Sequence, residues 1–272
     1  MKNYKIIKDF TEIQEVFHQV KNLKRGLITN FFLEPFKHGV WIDQHKLKLV
    51  WVEDTALLIY YGDDFNRLFY ISPDLMSLGR AIDEFMHENN AEKIVIDLVG
   101  LESSLQEVSA IFNKEGFIRR SSLVRMSSLG FVQPTLIDSS VVCADKTHVT
   151  IIEPLLHTYF DKFVEQLPMK EELNHWVENK QILIYQNDNR IGGFLIFQNM
   201  VNTAYLRYWF VHPDFRNQKI GSKLINKFFQ ENTEAKRFLF WVIESNDNAI
   251  KRYLHYGFKP EKLKNIVLTI NI

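Results

Sequence analysis

One order of elements is written twice in this chain. Ile71-Ser-Pro-Asp74 and Val211-His-Pro-Asp214 begin 140 residues apart, and Gly116-Phe117 and Gly257-Phe258 begin 141 apart. In the first half, the apolar runs TALLIYY and RLFYISP lead into the amphipathic stretch SLGRAIDEFMHEN, then EKIVIDLV, then LQEVSAIFNKE before Gly-Phe. The second half repeats the series as NRIGGFLIFQ, TAYLRYWFVHP, GSKLINKFFQEN, RFLFWVI and NAIKRYLHY, again before Gly-Phe. Order and spacing kept together over this length predict two similar domains. Residues 1–130 form the first and 131–272 the second, with the boundary within 127–146. That stretch carries Gly130, Pro134 and Asp138 and little periodicity. Its Phe131, Val132, Leu136 and Val141 also allow it to pack as a strand.

Period assigns the elements. Leu224, Ile225, Phe228 and Phe229 make one apolar helix stripe. RFLFWVI is a short, nearly continuous run of aromatic and branched residues, suited to a covered central strand. Strands alternating with helices predict an α/β class with mixed pairing in the sheet.

Composition removes several function classes. Thirty-three basic against thirty-three acidic residues leave no net field to gather nucleic acid or an anionic membrane. One cysteine, Cys143, forms no intrachain disulfide and fits a reducing compartment. No run reaches the ~20 apolar residues of a spanning helix, and no signal-peptide pattern opens the chain. The expectation is a cytoplasmic protein. Nine histidines without ligand spacing argue no metal site.

The loop VHPDFRNQKIGSKL is the first chemical signal. A strand ends at Val211 and a helix starts near Ile220 or Gly221. The first N–H groups of that helix lack intrahelical partners and sit at the positive end of its dipole, a natural seat for phosphate. Arg216 and Lys219 add charge, and Gly221 lets a bulky group come close. A plain polar loop opening a helix explains the same residues, and neither a Walker A pattern nor GxGxxG is present.

Asn246-x-x-Ala249-x-x-x-Tyr253-x-x-x-Gly257-Phe258 then follows a strand end. With Arg216-Asn-Gln-Lys219-Ile-Gly221, this resembles the GNAT superfamily of acyl-CoA-dependent N-acyltransferases over roughly residues 147–272. The family's phosphate loop reads Gln/Arg-x-x-Gly-x-Gly/Ala, so Lys219 stands where its first glycine would. A right-handed backbone there leaves the cradle intact, whereas a positive φ would weaken it. The resemblance implies tandem GNAT-like domains, each a mostly antiparallel twisted sheet flanked by helices with a splayed central strand pair. It implies acetyl-CoA as co-substrate, its pantetheine on Trp209, Phe210 and Val211. Its pyrophosphate would lie on the amides of Gln218, Lys219, Ile220, Gly221 and Ser222 beside Arg216, with Asn246 against the CoA arm.

In the same reading Tyr253 protonates the departing thiolate and Glu244 is the candidate base. Each has a duller explanation. Tyr253 lies on a helix stripe with Ala249, Ile250 and Leu254, Asn246 suits a helix N-cap, and Glu244 a solvated strand end. Aligning the Gly-Phe pairs puts Phe112 at the place of Tyr253 and Leu105 at that of Asn246. Aligning the Pro-Asp pairs puts Met76 opposite Arg216. The first copy therefore reads as a degenerate scaffold. The expected activity is N-acetyl transfer to a primary amine of a small molecule or peptide, with no nucleic acid and no membrane. A non-catalytic acyl-CoA sensor and a tandem aminoacyl transferase are the alternatives. Residues 153–180, with Asp161, Glu165, Glu171 and Glu172 among aromatics, would shape the acceptor site or form a solvated amphipathic helix.

Overall fold

A computed structural model describes residues 4–130, 139–187 and 190–272. In chain order the elements are β1 (Lys5–Ile6), α1 (Phe10–Asn22), β2 (Ile28–Thr29), α2 (Pro35–Asp43), β3 (Leu47–Val52), β4 (Thr55–Tyr61), β5 (Asn66–Ser72), α3 (Leu75–Asn89), β6 (Ile94–Leu101), α4 (Glu102–Lys114) and β7 (Ile118–Leu129). There follow β8 (Val141–Cys143), α5 (Lys146–Tyr159), α6 (Lys170–Glu178), β9 (Ile182–Asn187), β10 (Arg190–Met200), β11 (Thr203–Val211), α7 (Ile220–Glu231), β12 (Arg237–Ile243), α8 (Asp247–His255) and β13 (Lys259–Ile270). Phe131, Val132 and Leu136 of the expected boundary lie outside the described residues, and Val141 opens β8.

Contacts divide the chain into two units. The first holds the residues up to Leu123 together with Lys262–Ile272, the second Val124–Glu261. In the first, the strands run β1-β3-β4-β5-β6-β13. All neighbours are antiparallel except β5 and β6. The chain's last residues are thus a structural part of the first unit, where a cut at 130/131 assigns them to the second. Leu263–Ile270 pair with β6 along its length, and Ile266 and Leu268 enter the core with Leu68, Ile82, Phe85 and Phe112. Each such side chain, fully buried, contributes on the order of 1.5–3 kcal/mol.

In the second unit the order is β8-β9-β10-β11-β12-β7, the last strand entering at Val124. Again β11 and β12 pair parallel, while β8 with β9, β9 with β10 and β10 with β11 are antiparallel. One face of this sheet packs on α7 and α8 through Leu206, Leu224, Phe228, Phe240 and Phe258. The other packs on α5 and α6 through Leu156, Trp176, Phe194, Tyr208 and Phe210.

The Gly-Phe marks now have a cause. Both glycines sit at positive φ, 89° at Gly116 and 82° at Gly257. The Phe117 N–H reaches the Phe112 carbonyl at 3.2 Å and the Phe258 N–H reaches that of Tyr253 at 3.1 Å. These are Schellman closures of α4 and α8, each followed by a buried Phe that pins the helix end to the sheet.

Candidate active site

The site begins as an open seam in the second unit. β11 and β12 pair only at Thr203–Arg237, Ala204–Phe238 and Tyr205–Leu239, although they continue to Val211 and Ile243. Beyond Tyr205 they part. On the other edge of β11 the register with β10 shifts where Phe197 faces Leu206 and Ile196 faces Tyr208, which leaves Arg207 as a bulge residue. A bulge bends and twists its strand, here at the point where the two strands separate.

Backbone direction follows from one bond. The His212 N–H donates to the Gly192 carbonyl at 3.0 Å, so with the two-residue alternation of a ladder Phe210 and Tyr208 also turn their amides to β10. Trp209 and Val211 turn theirs into the seam. Their side chains lie with α7 and α8, while those of Tyr208 and Phe210 lie with α5 and α6. Of the three strand residues expected to bind pantetheine, two therefore offer backbone groups to the seam, and Phe210 offers its ring to the opposite face.

Past β11 a short 3-10 turn, Pro213–Phe215, is held by the Asp214 N–H on His212 Nδ1, 3.2 Å, and by the Arg190–Asp214 ion pair, 2.8 Å. Asn217 and Lys219 then take φ of 63° and 58°. Lys219 thus adopts a left-handed backbone, the strained of the two alternatives. A non-glycine residue there costs roughly 1–2 kcal/mol. No side chain caps α7, and its first hydrogen bond runs from the Lys223 N–H to the Lys219 carbonyl, 3.0 Å. The amides before it, through Ser222, are available to an anion. Arg216, Gln218 and Lys219 are exposed beside them, while Ile220 is buried in the core and fixes the start of the helix. A Cβ on Gly221 would meet Trp209 and Val211 at 3.5–3.6 Å, ordinary contact, so the space it leaves serves approach from outside more than packing within.

α8 supplies the other wall. Asn246 caps it, its Oδ1 accepting the Ala249 N–H at 3.1 Å, which leaves the side-chain NH₂ for a ligand. Tyr253 lies 4.2 Å from the Phe240 ring and 5.5 Å from that of Trp209, ring centre to ring centre. Its hydroxyl makes no hydrogen bond among the described residues. Burial first, then the charge of Glu165, pushes its pKa up to about 12. Trp209 Nε1 is likewise buried without a partner among the described residues. Tyr256 donates to Ser222 Oγ at 2.9 Å and ties the end of α8 to the start of α7. Glu244 is exposed just beyond β12.

The segment 153–180 is not one helix. α5 stops at Tyr159, and a loop of ten residues, with Gln166 at φ 44°, separates it from α6. The Tyr208 hydroxyl donates to the carbonyls of Glu165 at 3.0 Å and Gln166 at 2.9 Å and so fastens the loop to β11. Burial pushes the Glu165 carboxyl up to about 7, against the pull of the Asp161 N–H. Nothing in the sequence distinguishes Glu165 from Asp161 or Glu171; only the folded loop does.

The first unit shows the same seam filled. β5 and β6 pair only at Asn66–Ile94 and Arg67–Val95. Ile28 and Thr29 pair along the freed edge of β5, opposite Ser72 and Ile71. Asn30 bridges the gap, donating to the carbonyls of Leu68 at 3.2 Å and Asp97 at 3.1 Å and accepting the Tyr70 N–H at 2.7 Å. The start of α3 carries its own anion: Asp74 accepts the Ser77 N–H at 2.7 Å and pairs with Arg25 at 2.6 Å, and both pull its pKa down to about 2. Phe112, at the place of Tyr253, is fully buried.

Residues 150–258 match the model of the acetyltransferase (GNAT) family. No curated protein matches the chain. Solved structures share its fold at low identity. A GNAT-family acetyltransferase from Colwellia psychrerythraea aligns over 98% of both chains at 14% identity and a TM-score of 0.59. A Drosophila protein aligns over 99% of both chains at 10% identity, with a TM-score of 0.63. A tandem GNAT protein of the clavulanic acid biosynthesis pathway aligns over 82% of both at 12%, with a TM-score of 0.52.

Proposed function

We propose, from the match of residues 150–258 to the acetyltransferase (GNAT) family model, that the second unit transfers an acetyl group from acetyl-CoA to a primary amine, and that the first unit is a scaffold copy without a site. The observation that carries this is the contrast between the two seams. Where β11 parts from β12 the backbone of Trp209 and Val211 is unpaired toward the gap and α7 is uncapped. Where β5 parts from β6 the chain occupies both places itself, with Asn30 and Asp74.

Trp209 and Val211 would hold the pantetheine through backbone bonds, and the amides up to Ser222, with Arg216 and Lys219, the pyrophosphate. The Asn246 NH₂ faces the arm between them. An inward N–H of Trp209 or Val211 is placed to receive the oxyanion as the thioester carbon becomes tetrahedral, a contact that strengthens as charge develops. Tyr253 stays protonated at neutral pH and gives its proton to the departing thiolate. The burial that raises the phenol also raises a thiolate formed beside it, which keeps the two matched.

Thermal unfolding with acetyl-CoA tests the reading. At ~100 times Kd, binding adds ~2.7 kcal/mol to the native state. That is a rise of several degrees at about 2–4 °C per kcal/mol. No rise, with acetyl-CoA or longer acyl-CoA, refutes it. Tyr253→Phe should keep the rise and lose turnover. Unchanged turnover removes Tyr253 from the chemistry, and a rise with no turnover in the wild type favours a sensor.

A further inference from the structure

We propose that Glu165, in the loop between α5 and α6, is the group that takes the proton from the acceptor amine, opposite Tyr253. The proposal rests on the acetyltransferase reading and adds its missing base.

The first argument is positional. α6 begins 12 residues before β9 as α2 begins 12 before β3, and Trp176 and Trp41, seven residues into that span by inclusive count, are both buried. In this alignment Glu165, five residues before α6, stands where Asn30 stands before α2. Asn30 is the residue whose side chain reaches between the parted strands and takes the inward N–H of Tyr70. Its counterpart in the second unit is a carboxylate, and the preceding residues do not pair with β11 as Ile28 and Thr29 pair with β5. The position that plugs one seam overlooks the other.

The second argument is electrostatic. Glu165 makes no ion pair among the described residues. The one described bond of its carboxyl is from the Asp161 N–H to Oε2, 3.0 Å. The titratable groups coupled to it are Asp161 on its own loop, Tyr208 on β11 and Tyr253 on α8, all acidic, and no cation among the described residues lowers its pKa. Its charge raises the pKa of the Tyr253 phenol, so the two groups lie within electrostatic reach of each other. A carboxyl dried until it titrates near neutrality is a far better base than one in water, because the proton it accepts is held more tightly.

The proton balance closes. An ammonium acceptor gives one proton to the Glu165 carboxylate, which passes it to solvent. The free amine forms the C–N bond. As the C–S bond breaks, the Tyr253 hydroxyl protonates the sulfur, the nitrogen's second proton goes to Glu165, and Glu165 restores the phenol. Two protons leave nitrogen; one ends in solvent and one on the CoA thiol.

Two measurements test this. Full-length protein labelled with ¹³C at the glutamate carboxyls is titrated by NMR, as wild type and as Glu165→Gln. One resonance titrating near 7 and missing from the variant is expected; titration of Glu165 in the ordinary carboxylate range overturns the proposal whatever the acceptor. Turnover of acetyl-CoA is then followed with spermidine, tyramine, glucosamine and a dipeptide. Glu165→Gln should lose about 10²-fold or more in kcat and lose the acidic limb of the kcat/KM profile, with Glu165→Asp recovering part of the rate. Its acetyl-CoA-dependent rise in unfolding temperature should equal that of the wild type. A variant with the wild-type rate and profile overturns the proposal, and a wild type that acetylates none of these amines overturns it together with the reading beneath it. Loss of the acetyl-CoA response in the variant assigns Glu165 to binding and also overturns it.

Discussion

Glu261→Gln tests how the closed end of the seam is held. Glu261 pairs with Arg125 at 2.7 Å and with Arg237, the first residue of β12 and a partner in the last stretch of true pairing with β11. Burial alone would raise its carboxyl, but hydrogen bonds from Ser127, Arg237 and Arg125 outweigh it and bring the pKa to about 2, against 4.5 for a free glutamate. At ~1.36 kcal/mol per unit the full difference would exceed what a pair this open to solvent supplies, and screening brings the expected contribution to about 1–2 kcal/mol. The folded pKa is depressed, so the unfolded chain takes up the proton first. The contribution is complete above about pH 4.5 and is lost as pH falls toward 2. Urea unfolding at pH 7 should show the variant less stable by that order, and the two proteins should converge as pH approaches 2. Equal midpoints at pH 7, or a gap that persists unchanged at pH 2.5, would refute the linkage. Since Arg237 opens β12, the variant should also bind acetyl-CoA more weakly.

Two further perturbations address the seams. Asn30→Ala orphans the Tyr70 N–H and the carbonyls of Leu68 and Asp97 in the first unit. A loss of roughly 2–4 kcal/mol is expected in urea unfolding, since each buried orphan costs about 1–3 kcal/mol and one of the freed groups can relax. Calorimetry on the wild type should give one acetyl-CoA per chain, and a second equivalent would refute the filled seam. Lys219→Gly removes a side chain from φ 58°. It should be neutral to mildly stabilising, within about 1 kcal/mol, because relief of strain offsets the greater freedom of glycine in the unfolded chain. It should tighten acetyl-CoA binding by preorganising the loop; weaker binding would show that the ammonium contributes more than the strain costs.

What was legible in the sequence was what local chemistry fixes. A glycine closing an amphipathic run, as Gly257 does, reads as a helix terminator, and Asn246 three residues before Ala249 suits a cap. The helix at Ile220 and the strand RFLFWVI followed from period. The pairing of Leu263–Ile270 with β6 did not, because alternation states that a strand is covered and not which strand covers it. The backbone at Lys219 was also out of reach: an αL lysine is set by the turn between Phe215 and Ile220, and the residue type argues the other way.

The deepest gap lay between Asn30 and Glu165. Neither belongs to a motif, yet by their spacing from α2 and α6 they stand at corresponding positions, and on the proposal above they decide what each seam does. A strand edge parted from its neighbour leaves backbone groups that must be met by water, by the chain or by a ligand. In the first unit β2, Asn30 and Asp74 meet them, and Phe112 is buried in the core where the second unit has Tyr253. In the second, an amide that would bridge both strands is replaced by a carboxylate that bridges neither, an N-terminal cap by an uncapped lysine, and a buried phenyl by a phenol. Each exchange gives up a hydrogen bond or a packed ring and leaves a group able to move a proton or hold an anion. On the proposed function, three such exchanges around one opening would together make a reaction site of it, whereas any one alone would be a weakness in the fold.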